Sequence, residues 1–211
     1  MFSLLPAQGL HRALRDPRGA ARVLSSWLLA RYYLLRYRLA GVRIEVGRNF
    51  RCEGRLVIRG RGTITIGDDV VFRTNVRRVF LGSDGDSYVI RIGDRCYVNG
   101  ASISCMDRIE IGAGAVFGRA ELVDHDLHDP RDPHRARRVT SAPIFIGERA
   151  WIGNDAMILK GVTIGSESVV GARTVVRRSL PQRVVAIGNP AQIVKEIEAD
   201  ADLEQVRGEA S

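Results

Sequence analysis

The sequence predicts a mainly β fold, a solenoid of short parallel strands preceded by a short N-terminal helical segment. Three observations carry this: an aliphatic residue at every sixth position late in the chain, a glycine directly after most of them, and an apolar, arginine-interrupted stretch before Gly41. Reading every sixth residue gives Ile146, Ile152, Ile158, Ile164, Val170 and Val176, all β-branched. Gly147, Gly153, Gly165 and Gly171 follow four of them, and the positions two before are Ile144, Ala150, Ala156, Val162, Ser168 and Thr174, mostly small. A period of six fits neither a 3.6-residue helix nor one long two-sided strand. It fits short strands separated by turns, each aliphatic pointing inward, with glycine relieving crowding at the bend or permitting unusual backbone angles. Stacked coils then pair their strands in parallel and align the inward rows into one core.

Taken from the start of the chain, residues 1–41 form a basic amphipathic segment. Seven arginines stand there against Asp16 alone, so most of the formal net charge of +8 lies in the first fifth of the 211 residues. Gly9, Pro17 and Gly19 predict two short helices with a break before Ala20, and Gly41 predicts the stop. Arg31, Arg36 and Arg38 interrupt the apolar run, which disfavours a helix crossing a bilayer. Trp27, Tyr32, Tyr33 and Tyr37 beside arginines suit a helix in a lipid headgroup region or one docked on the protein's own core.

The repeat signature then runs from about Val42 to Val176, less regularly at first, through Val46-Gly47, Cys52, Ile58, Ile64, Ile66-Gly67, Ile92-Gly93, Ile111-Gly112 and Phe117-Gly118. Steps of 26 residues from Ile66 to Ile92 and 19 from Ile92 to Ile111 require bulges or small loops, with Ser83 to Asp86 an obvious turn. From Arg119 to Pro143 the rhythm stops altogether, and a long loop in a compact solenoid is usually functional. Residues 190–211 are polar towards their end.

Composition excludes several classes. With 45% hydrophobic and 27% charged residues the chain is neither disordered nor collagen-like. Cys52, Cys96 and Cys105 are odd in number, lack a C-x-x-C spacing and follow no secretory signal, so a disulfide framework or zinc knuckle is not expected and a cytoplasmic location is. Because the positive charge is confined to one end and no binding module is present, nucleic acid is not an expected partner.

The copies IGERAW, IGNDAM, IGSESV and VGARTV resemble the hexapeptide-repeat acyltransferases. That resemblance implies a left-handed parallel β-helix of triangular coils and a homotrimer with active sites between subunits. The stretch IGDRCYVNGASISCMDRIEIG, then LVDHDLHDP, then the closing run from Ala142 to Ile197, is similar to the sugar and maltose/galactoside acetyltransferase branch. It implies an acetyl-CoA-dependent O-acetyltransferase acting on a sugar or glycan precursor in polysaccharide biosynthesis. It also implies a short C-terminal helix after the Gly-Asn-Pro-Ala turn, and hence three regions: residues 1–41, a β-helix over 42–189 carrying the loop 119–143, and 190–211.

His125 aligns with the branch's catalytic histidine. The chemistry suits it, since a sugar hydroxyl attacks a thioester only with help and imidazole titrates near neutral pH. By the same resemblance Asn99 helps hold the acceptor or the developing oxyanion of a neighbouring subunit's site, and Asp107 binds acceptor hydroxyls; as bare residues, both are also common turn choices. Trp151, Asn154 and Ala172 match the coenzyme A groove, and Arg178 and Lys195 match basic positions near the nucleotide phosphates. Arg177 reads as a solvated turn residue and Cys105 as coil filling rather than an acyl carrier. His128 and His134 share the loop with His125, but no metal is expected: zinc ligands in related β-helices come from stacked coils and adjacent subunits.

Two rivals remain from the sequence. A serine acetyltransferase has the same fold but a large helical N-terminal domain, for which 41 residues are too few. A non-catalytic β-helical scaffold would keep the inward rows and lose the chemistry.

Overall fold

A computed structural model describes residues 16–83, 87–126, 128 and 140–198. One helix stands among the described residues, α1 (Pro17–Leu39), followed by eighteen strands. Asp16 caps α1 by accepting the Gly19 N–H at 2.9 Å, and Pro17 occupies the first turn, where its missing N–H costs nothing. The expected break before Ala20 therefore does not occur. Pro17 and Gly19 lie in the helix's opening turn, and the segment before Asp16 is outside the described residues. Gly41, at φ +84°, ends the helix as anticipated.

The strands stack in three rows, each in parallel register. The first row is β1 (Arg43–Val46), β3 (Thr63–Ile66), β5 (Val89–Ile92), β8 (Arg108–Ile111), β11 (Ile144–Ile146) and β14 (Thr163–Ile164). The second takes the first halves of β2 (Arg51–Arg59) and β4 (Val71–Gly82), then β6 (Tyr97–Asn99), β9 (Val116–Phe117), β12 (Trp151–Ile152), β15 (Val169–Val170) and β17 (Val184–Ile187). The third takes the second halves of β2 and β4, then β7 (Ser102–Ser104), β10 (Glu121–Val123), β13 (Met157–Leu159) and β16 (Val175–Val176). One strand from each row makes a coil, so the chain turns three corners per coil.

All six aliphatics of the repeat are buried, and so are the residues two before them. Each short strand thus sends alternate side chains inward, where full burial of an Ile or Val contributes about 1.5–3 kcal/mol. The structure also decides between the two explanations of the repeat glycines. A Cβ on Gly147 would lie 2.4 Å from the Ser166 nitrogen, and one on Gly153 would lie 2.6 Å from the Ala172 nitrogen. The constraint is coil-to-coil contact. The left-handed backbone falls elsewhere, at Asn49, Asp69, Arg95, Arg149 and Glu167, two residues past the corner glycines of the first row.

Two expectations are corrected. Glu121–Val123 is strand β10 and completes the fourth coil, so the irregular stretch begins at Asp124 and not at Arg119. Directly after the Gly-Asn-Pro-Ala turn the chain forms a strand and not the expected helix, β18 (Gln192–Glu196), which folds back antiparallel on β17, and residues 199–211 lie outside the described residues. The last coil would otherwise leave a row of unpaired backbone groups, and β18 covers that edge with β-branched Ile193 and Val194 in a strand-favouring run.

At the other end α1 plays the covering role. Ser26, Ala30, Leu34 and Tyr37 are buried, and the helix packs against β2. The Tyr37 hydroxyl donates to the Leu56 carbonyl at 3.0 Å and accepts the Ile58 N–H at 3.1 Å, standing in for a neighbouring strand on the first coil's open edge. No helix among the described residues is long and apolar enough to cross a membrane.

Candidate active site

Asp124 leaves β10 with the parity of Leu122, which points inward, so its carboxylate enters the core and is fully buried. It is not left bare. Its Oδ1 accepts the Met106 N–H at 2.7 Å, and its Oδ2 accepts the N–H groups of Asp107 and Arg108 at 2.8 and 2.9 Å. Three backbone donors converging on one carboxylate satisfy a charge that burial would otherwise make costly. They also lock the corner after β7 to the corner after β10, on adjacent coils.

His125 follows at once and lies on this locked corner. Its Nδ1 is 2.9 Å from the Asp126 carbonyl oxygen, which can only accept, so Nδ1 carries the hydrogen. In the neutral ring Nε2 is then the free base, and the Ser104 hydroxyl donates to it from 2.9 Å. The loop's base is closed by pairing of His125 with Ser141, by Asp126 N–H to the Thr140 carbonyl at 3.0 Å, and by Ala142 N–H to the Asp124 carbonyl at 2.8 Å. Lys160, at the same corner of the next coil, fastens it with Nζ 2.6 Å from the Asp126 carboxylate, while the Thr140 hydroxyl donates to that carboxylate at 2.8 Å. Those two bonds, the Lys160 ammonium's above all, hold the Asp126 carboxyl below the usual carboxylate range.

The structure therefore brings His125, Ser104 and Asp107 to one corner, with Asp107 exposed and its N–H held by Asp124. Asn99 is elsewhere. It ends β6 at the preceding corner, between the second and third rows, facing Arg73 in register. Asn154 and Ala172 stack at that same corner: the Asn154 side chain accepts the Arg119 N–H at 3.1 Å, and the Asn154 carbonyl accepts the Arg173 N–H at 2.8 Å. Ala172 is exposed there, and its small side chain leaves the corner backbone open. Trp151 stands on the second row in register with Val116 and Val169, its indole largely exposed. Arg177 and Arg178 follow β16 at the His125 edge, and Lys195 lies on β18 opposite Val185; all three are exposed. In a single chain the third row thus separates a histidine edge from an asparagine edge.

Cys105 is fully buried, with its thiol near the Val89 carbonyl and Asp124. Burial, and next the Asp124 carboxylate, push that thiol well up, so it is packing and no nucleophile. His128 is exposed, and His134 lies outside the described residues. Among the described residues no three His, Cys, Asp or Glu side chains converge on a point.

Sequence reasoning missed Ser104, Asp124 and Lys160. Asp124 had a signal, an acidic residue in an inward parity slot beside the histidine. Ser104 and Lys160 had none, because their partners are set by coil stacking.

A family model for the bacterial transferase hexapeptide, six repeats, matches residues 143–178. The Escherichia coli protein WcaF, which carries the name colanic acid biosynthesis acetyltransferase, is 34% identical over 132 residues, covering 62% of this chain and 68% of its own. The galactoside O-acetyltransferase of Escherichia coli is 30% identical over 157 residues, covering 74% of this chain and 56% of its own. Among solved structures, a mutant of AntD, an N-acyltransferase from Bacillus cereus in complex with dTDP and coenzyme A, shares the fold with a TM-score of 0.64. Its sequence is 19% identical, with 83% of this chain and 96% of that one covered.

Proposed function

This chain belongs to the bacterial hexapeptide-repeat transferases and is an acyltransferase, and from that premise we propose that it moves an acetyl group from acetyl-CoA to a hydroxyl of a sugar or glycan precursor, with His125 as general base. The observation that carries this reading is the fixed tautomer: a carbonyl holds the hydrogen on Nδ1 and leaves Nε2 as the acceptor, engaged by a hydroxyl at 2.9 Å. Ser104 occupies the position a sugar hydroxyl would take. An acceptor oxygen replacing it gives up its proton to Nε2 as it attacks the thioester carbonyl, and the coenzyme leaves as a thiolate that is then protonated. Asp107, exposed at the same corner, holds acceptor hydroxyls.

We assign the donor to the other edge of the third row. There Asn154 and Ala172 offer backbone groups on stacked coils, Trp151 lines the approach and Lys195 supplies charge for the nucleotide phosphates, while Arg178, at the histidine edge, adds its charge to the donor held by a neighbouring protomer. Two edges of one row cannot meet within one chain. A left-handed solenoid packed as a homotrimer, with the third row toward the axis, sets the asparagine edge of each protomer against the histidine edge of the next. Asn99 then reaches a neighbour's reacting carbonyl, where an amide N–H stabilises developing negative charge. Use of acetyl-CoA puts the reaction on the cytoplasmic side.

The test is release of free thiol from acetyl-CoA with a panel of sugars and nucleotide sugars. His125→Ala should lower kcat by about 100- to 10,000-fold, the range expected for losing a positioned base. Equal rates in the variant and wild type would remove His125 from the mechanism.

A further inference from the structure

The covering helix has a second apolar face against which no other described residue packs. Leu24, Leu28, Tyr32, Leu35 and Leu39 are between 55% and 80% exposed. At 100° per residue their spacing confines them to an arc of about 80°, centred opposite the buried Ser26, Ala30, Leu34 and Tyr37. The stripe runs about 22 Å along the helix at 1.5 Å per residue. Arginines flank it on both sides, Arg31 and Arg38 along one border and Arg22 and Arg36 along the other, all exposed. No acidic residue occurs within Pro17–Leu39, and Asp16, the nearest, is occupied as the cap. Trp27 lies at the border, with the Arg31 guanidinium 4.7 Å from its ring centre.

We propose that this outward face of α1 docks on an anionic lipid surface, the leucines entering the boundary between headgroups and acyl chains and the arginines pairing with headgroup phosphates. An apolar stripe between two cationic borders is the pattern that suits a helix lying in the plane of an interface. A second copy of the chain is a poorer occupant, because pairing two such stripes brings arginine borders of the same sign together. Nucleic acid is poorer still, since the centre of the face is apolar and only its edges are charged. The placement also leaves the reaction corner free. His125 is on the fourth coil and α1 covers the first, so three coil spacings, about 14 Å, separate the histidine corner from the covered end. The proposal stands apart from the acetyl-transfer reading.

The test is co-sedimentation of the full chain with phosphatidylcholine vesicles and with vesicles containing about one-third phosphatidylglycerol. The wild type should bind the anionic vesicles about tenfold or more tightly than the neutral ones, and raised salt should release it. Leu28→Glu and Leu35→Glu, both on the exposed face, should abolish sedimentation while leaving the melting temperature, the solution mass and acetyl transfer to a soluble sugar unchanged. Arg31→Gln with Arg36→Gln should erase the preference for anionic vesicles. The proposal is overturned if the wild type stays in the supernatant at low salt, or if Leu35→Glu sediments as the wild type does. It is equally overturned if Leu28→Glu or Leu35→Glu lowers the solution mass, which assigns the stripe to a second copy.

Discussion

Replacing Asp124 separates the positioning of the site from its chemistry. The buried carboxylate accepts three backbone N–H groups at 2.7, 2.8 and 2.9 Å. Asp124→Ala strands all three donors and leaves a small cavity. At about 1–3 kcal/mol for each unsatisfied group, discounted because the three share one acceptor, the loss is about 3–5 kcal/mol. Asp124→Asn is the sharper probe. An amide oxygen in the Oδ2 position still accepts from Asp107 and Arg108, but its NH2 faces the Met106 N–H, donor against donor. The cost is about 1–3 kcal/mol, or roughly 2–10 °C in Tm for a chain of this size, offset in part because a neutral amide is cheaper to bury than a charge. Ser104, Asp107 and His125 ride on the corner this carboxylate locks, whereas Asn154 and Ala172 are on another. The Asn variant should therefore lose at least about tenfold in kcat with an unchanged KM for acetyl-CoA, because misplacement of a reacting group by even 1 Å is expensive. Thermal melts and initial rates with donor and acceptor varied separately read both quantities. A variant with wild-type Tm and wild-type kcat would refute the role given to Asp124, and one whose rate falls only through the donor KM would refute the division into two edges.

The remaining expectations concern the core. Ile158→Ala, on β13 between Leu122 and Val176 of the third row and with no exposure, should cost about 2–5 kcal/mol by denaturant titration, and a loss under 1 kcal/mol would mean the inward rows do not carry the fold. The thiols give a pH dependence. Burial pushes Cys96 up to about 11 and Cys52 up to about 12, and Cys105 is raised further. In the unfolded chain thiols ionise near 8.5, so above that pH the unfolded state has shed protons the folded state keeps, and stability falls as pH rises. Each thiol contributes a slope of about 1.4 kcal/mol per pH unit until its folded value is reached. Cys96→Ala should flatten the decline between pH 9 and 10.5 by about that amount, and native protein at pH 8 should resist iodoacetamide. An unaltered slope, or rapid alkylation, would show these thiols to be exposed.

How much was legible in the sequence differs by residue. The six aliphatics from Ile146 to Val176 could be read directly, because an inward row needs one residue type at one spacing and coil stacking repeats that demand. The corner glycines were legible as positions, but not as contacts: only the distance from a Gly147 Cβ to the next coil distinguishes crowding from backbone freedom. The strand Gln192–Glu196 was not legible because the need that fixes it is an unpaired edge on β17, and a linear sequence does not display edges.

His125 stood out by its own chemistry and its place in a non-repeating stretch. Its tautomer, its Ser104 partner and the Asp124 lock did not, since each depends on which coil lies above which. The sequence by itself determined the solenoid, its inward rows and the candidate base His125, because these follow from periodicity and side-chain type. Only the tertiary structure decided which edge of the third row each site residue occupies, and which side of α1 is left facing solvent. Those are relations between coils roughly 20 residues apart, and stacking creates them.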